Sequence, residues 1–131
     1  MEVYYQPDLA QGVNLLTEEE SRHCIKVLRH RAGDKITVVD GAGLCVEAEI
    51  DQPNPKACGF KILTERHQET SQFEVHVGIA PTKSLDRLEW FVEKCTEVGI
   101  QAIDFYISQN SERRILKPER LVRKAIAAMK Q

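Results

Sequence analysis

Two periods of apolar residues divide this chain. From Leu44 to Ile50 they fall on every second position (Leu44, Val46, Ala48, Ile50), which predicts a strand with one buried face. "KITVVD" before it and "CGFKIL" after it are also strand-like, with Gly41-Ala42-Gly43 as a hairpin turn and the prolines of "QPNPK" marking a loop. Upstream, Thr17 and Glu20 have capping-box spacing, and acidic Glu18 to Glu20 suit the positive end of a helix expected to reach about Arg31, where Gly33-Asp34 stops it. Residues 1–68 therefore read as a small, mostly β unit that carries one basic helix and is expected to close into a compact barrel.

The polar run "ERHQETSQ", 65–72, has no apolar period and predicts a domain boundary. Beyond it Phe73, Val75, Val77 and Ile79 alternate as a strand; Leu85, Leu88, Phe91 or Val92, and Cys95 recur at helical spacing; Gly99 closes the helix. Ala102 to Ile107 form a second apolar strand, and Pro118 opens a helix with Leu121, Val122, Ala125, Ile126 and Met129 on its buried side. This β-α-β-α order over 73–131 predicts parallel strands joined by a right-handed crossover, and an α+β chain of two domains. Two parallel strands and two helices cannot bury both sheet faces. A second copy of the chain or further polypeptide is expected to complete the core, and a helical pattern that breaks off uncapped at "AAMKQ" favours the latter.

Composition narrows the function little. With 42% hydrophobic and 29% charged residues and a net charge of −2, the chain has no global attraction for nucleic acid, so such binding must be local. "MEVYYQPDLA" lacks the basic flank and apolar stretch of a secretory signal, and no long apolar run predicts a membrane span; a cytoplasmic protein is expected. Cys24, Cys45, Cys58 and Cys95 lie far apart without a C-x-x-C pair, a pattern that points to small buried thiols and away from zinc or a disulfide framework.

Two segments are locally basic: "RHCIKVLRHRAGDK" at 22–35 and "RRILKPERLVRK" at 113–124. The first offers Arg22, Lys26, Arg29, Arg31 and Lys35 to phosphates. In an open α/β sheet ligands sit beyond the carboxyl ends of the strands, here the loops "APTKSLDR" and "SQNSERR", which would bring together Lys83, Arg87, Ser111, Arg113 and Arg114. No nucleophile-base pair stands out: His23, His30, His67 and His76 are scattered, and Glu93 and Glu97 have the spacing of a helix surface braced by Lys94 and Arg87. Trp90 reads as a packing residue. No G-x-G-x-x-G or Walker motif is present, which disfavours a flavodoxin-like or other nucleotide fold.

"HCIKVLRHRAGDKITVVDGAG" and "KSLDRLEWFVEKCTEVGIQAI", in this order and separation, resemble two segments of the bacterial 16S ribosomal RNA (uracil-N3)-methyltransferases. The resemblance implies a PUA-like barrel that holds RNA, followed by the first half of an α/β SPOUT domain. The trefoil knot and most of the S-adenosylmethionine site would lie in a C-terminal half absent from these residues. It also implies a homodimer acting on N3 of one uridine of the small ribosomal subunit, without a metal. His23, Val27, Leu28, Arg29 and Gly33 fall on the first pattern; Lys83, Arg87, Glu89, Lys94, Glu97 and Gly99 fall on the second. Where the family has E-R-S, Gln109-Asn110-Ser111 stands here, which leaves open whether Arg113 supplies the arginine. The competing expectation is a non-catalytic RNA-binding or ribosome-assembly module.

Overall fold

The alternation at 44–50 folds as a strand in a computed structural model that describes residues 2–68 and 73–131. The chain divides into two units, Met1–Thr70 and Ser71–Gln131. In the first, strands β1 (Val3–Tyr5), β2 (Lys35–Val39), β3 (Leu44–Gln52) and β4 (Gly59–His67) form one sheet in that order. β2 to β4 are antiparallel neighbours, whereas β1 lies parallel to β2 with Tyr4 opposite Val38. Val46, Ala48 and Ile50 of β3 meet Ile36 and Val38 of β2, with Tyr4, Leu9, Leu16, Cys24, Cys58 and Phe60 completing the core. Of the four cysteines, Cys24, Cys58 and Cys95 are buried as expected, while Cys45 is only half-buried.

The pairing has two irregularities and a seam. Register shifts at Glu47/Ala48 and Ile50/Gln52 bend β3 against β4. On the outer edge of β4, Leu16 N donates to Cys58 O at 2.9 Å and Phe60 N donates to Asn14 O at 3.1 Å. The Gln6 side-chain amide, just after β1, donates to Leu15 O, so the two borders of the sheet are tied through residues 6 and 15.

The sequence pattern misplaces several boundaries. Glu65 to His67, expected in the linker, continue β4 opposite Val46, Cys45 and Leu44, because a solvent-facing strand edge tolerates polar residues; Arg66 pairs with Glu47 at 2.9 Å. The remainder of that expected boundary, 69–72, lies outside the described residues. β1 escapes the pattern altogether, since three residues are too short to show a period.

In the second unit β5 (His76–Ile79) and β6 (Ala102–Phe105) are parallel, with Ile79 opposite Phe105. Helix α2 (Leu85–Glu97) connects them and α3 (Pro118–Met129) follows. β5 is shorter than predicted, because at Val75 the ladder passes to a side chain: Val75 N donates to Gln101 Oε1 at 2.6 Å. Gly99, at φ 83°, lets α2 end as predicted. Leu88, Val92 and Leu121 are buried together, against Leu85, Ile103, Phe105, Leu116 and Ala125. Val122, predicted to be buried, faces out, because the stripe on α3 runs through Leu121, Ala125 and Ala128. Trp90 is likewise 62% exposed and packs no core.

Candidate nucleic-acid interface

In the first unit the basic segment is presented by an anchored helix. Thr17 Oγ1 accepts from Glu20 N at 3.3 Å, and Glu18 to Glu20 occupy the first turn of α1 (Glu18–Arg22). Ser21, fully buried, donates to Leu16 O at 3.1 Å and accepts from Cys58 N at 2.8 Å, which pins the helix to the start of β4. With Ser21 and Cys24 turned inward, Arg22, His23, Lys26 and Val27 are exposed.

From His23 to Val27 the helix widens into a π turn, closed by Leu28 N donating to His23 O at 3.0 Å. It therefore stops short of the predicted Arg31, and Gly33-Asp34 is not what ends it. Arg29 takes φ 61°, a left-handed backbone that costs a residue with a Cβ about 1–2 kcal/mol. His30 N then donates back to Cys24 O at 3.1 Å. The Asp34 carboxylate accepts from Arg31 N at 2.9 Å and meets His30 Nδ1 at 3.0 Å. These contacts, the Arg31 N–H foremost, hold the Asp34 carboxyl below the ordinary aspartate range. Gly33 N to Ile50 O at 2.8 Å and Ile50 N to Asp34 O at 3.0 Å fasten the turn to β3. Arg22, Lys26, Arg29, Arg31 and Lys35 are all exposed, and among the described residues none of their side chains is in an ion pair.

In the second unit the parallel pairing puts the loops after β5 and β6 on one edge. Arg113 ties them together: Nε donates to Thr82 O at 3.1 Å and Nη2 to Lys83 O at 2.7 Å. Lys83 Nζ lies 3.5 Å from Glu112, a carboxylate outside the sequence-predicted set. Lys83, Glu112, Arg113, Arg114 and Ile115 line an open hollow of about 520 Å³. Arg87 is exposed one turn into α2. Ser111, grouped with these cations on sequence, is folded inward: its Oγ accepts from Ser108 N at 2.9 Å and shapes the loop. The rim thus offers fewer free cations than the sequence implied, since Lys83 is matched by Glu112 and the Arg113 guanidinium is engaged by backbone carbonyls.

The carboxylates of α2 brace helices. Glu93 meets Lys124 at 2.5 Å and Lys94 at 3.1 Å, and Lys94 meets Glu97 at 2.9 Å; Glu89 pairs with Arg120. Arg87, the neighbour predicted for this brace, takes no part, and Lys124 of α3 takes its place. Glu93 is held below the usual carboxylate range by Lys124 and then Lys94. Among the described residues no group of three or more His, Cys, Asp or Glu could hold a metal ion.

Each of the two units matches a domain of one known class of protein. The RNA methyltransferase PUA domain matches residues 16–63, and the RNA methyltransferase domain matches 68–131. The chain belongs to the RNA methyltransferase family. Among solved structures it is similar to a probable rRNA-methyltransferase from Porphyromonas gingivalis, at 37% identity and a TM-score of 0.89 over 100% of this chain and 55% of that one. It is also similar to a ribosomal RNA small subunit methyltransferase E from Neisseria gonorrhoeae bound to S-adenosyl methionine, at 26% identity and a TM-score of 0.81, over 100% of this chain and 56% of that one. The chain therefore spans a little over half the length of these relatives.

Proposed function

We propose that residues 1–68 are the RNA-binding domain, and 73–131 the leading half of the SPOUT catalytic domain, of a cytoplasmic, homodimeric methyltransferase. Its reaction moves the methyl group of S-adenosylmethionine to N3 of one uridine in 16S ribosomal RNA of the small subunit. A PUA-like barrel is supported by the bent β3–β4 pairing and the Gln6–Leu15 tie. A sheet that needs further polypeptide is supported by a small core and by exposed Val75, Tyr106 and Ile107 at the ends of its two strands; in this reading the knot supplies the cover. The observation that carries the proposal is the set Arg22, Lys26, Arg29, Arg31 and Lys35, exposed and, among the described residues, without ion-pair partners, in the unit that matches the PUA domain.

The cofactor is not assigned to these residues. An adenosyl group needs a largely apolar, enclosing slot. The hollow by Lys83 is open and charged, and a second hollow, between Asn14 and Ile62, is lined by Asp51, Gln52 and Lys61. The same basic turn favours, for the 131 residues alone, a second reading as a non-catalytic RNA-binding module.

Charge reversal separates the readings from a generic surface. Arg29→Glu should weaken binding of a 16S rRNA transcript and lower the slope of log K against log salt by about one or more. Unchanged binding and slope reject Arg29 as a phosphate contact. Calorimetry with S-adenosylmethionine adds a second check: tight binding by these 131 residues would contradict the placing of the cofactor site outside them, whereas RNA binding without it supports the module.

A further inference from the structure

The left-handed Arg29 carries more than its charge. Every other positive-φ residue among those described is a glycine: Gly12, Gly33, Gly41, Gly43 and Gly99. Glycine is the usual residue where a helix ends in this conformation. An arginine there keeps a side chain at a backbone that disfavours one, and it persists because its surroundings fix it. On the helix side, His30 N is bonded to Cys24 O; on the sheet side, Gly33 and Asp34 are bonded to Ile50. Between them the Asp34 carboxylate joins His30 Nδ1 to Arg31 N, and the His30 ring meets the Tyr4 ring edge-on with centroids 6.4 Å apart.

We propose that Asp34 is a positioning residue for RNA: by clasping His30 and the Arg31 N–H it locks the 29–34 turn and fixes where the Arg29 guanidinium meets a phosphate. The inference rests on the reading of this turn as an RNA contact. Its sign makes it testable. Asp34 is an acid in a basic segment, so on charge alone its removal should strengthen RNA binding. Positioning requires the opposite.

The test measures binding of a 16S rRNA transcript to the full chain, for Asp34→Ala, Asp34→Asn, Arg29→Ala and the double variants, at a temperature where circular dichroism shows each folded. Asp34→Ala is expected to bind about tenfold more weakly. Asp34→Asn, which keeps an acceptor for Arg31 N, should fall in between and carries the test if the alanine variant does not fold. In the Arg29→Ala background neither change should weaken binding further. Equal or tighter binding by Asp34→Asn, with Arg29→Ala weakened, overturns the positioning role and leaves the RNA reading standing. Full binding by Arg29→Ala defeats the reading itself.

Discussion

The first unit fills its interior with its own side chains: Tyr4, Ile36, Val38, Val46, Ile50 and Cys58 are at most 1% exposed. The second relies on Leu88, Val92 and Leu121, while Val98 and Ile115 stay 76% and 78% exposed. An antiparallel sheet can bury one face and leave the other wet, whereas parallel strands need cover on both. The difference therefore follows from strand direction rather than from composition. It also separates their chemistry: the unit with the filled core can hold Arg29 in a strained, defined pose, whereas the other braces itself with surface ion pairs.

Thiol labelling gives the widest test of this contrast. Cys24 and Cys58 are sealed in the first core, and burial pushes the Cys58 thiol up to about 12. They should react with a neutral disulfide reagent only through global opening, roughly a thousandfold slower than in denaturant. Cys95, in the thinner core, should react distinctly faster. Equal rates for all three would mean that the units open together. Side-chain truncation comes next. Phe60→Ala should cost about 3–5 kcal/mol in denaturant unfolding, and Leu88→Ala nearer the lower end of about 2–5 kcal/mol because half-covered neighbours can close in. A larger loss at Leu88 would reverse the comparison.

Acidity gives a smaller difference. Asp34 in the first unit and Glu93 in the second are both held below their ordinary values of 3.8 and 4.5. Each contributes stability above its unfolded value and loses it as pH falls through the lowered folded one. Lys94 is raised above 10.5, chiefly by Glu97, so its contribution is complete below that value and fades as pH rises through the higher folded one. Both units should weaken at both extremes, the first in alkali because burial keeps the Tyr4, Cys24 and Cys58 protons on in the folded state at pH values where the unfolded chain loses them; urea midpoints across pH, with Asp34→Asn flattening the acid limb, check this. Smallest of all, Glu93→Gln should shift the melting temperature only slightly, since its ion pairs are half-exposed and screened by solvent.

Much of this was legible in the pattern. The alternation at 44–50, the Thr17 cap, the helix through Leu85, Leu88 and Cys95 that Gly99 closes, and the parallel direction of β5 and β6 all follow from short-range periodicity and connection rules. The five cations of the first segment were also visible as residues. Their presentation was not. The π turn closes on a bond from Leu28 to His23, and the backbone of Arg29 is followed by a bond from His30 to Cys24 and a carboxylate at Asp34, interactions that leave no period. Glu112 beside Lys83, the inward turn of Ser111 and the Gln6 tie escaped for the same reason: each depends on where a loop closes.

The position of β1 has a consequence for synthesis. Its ladder partner is β2, with Val3 opposite Thr37, so this earlier-translated segment can dock only after residues 35–39 have left the ribosome. Until then Val3 to Tyr5 wait as a nascent edge, and any slowing of elongation before residues 35–39 emerge would lengthen that wait.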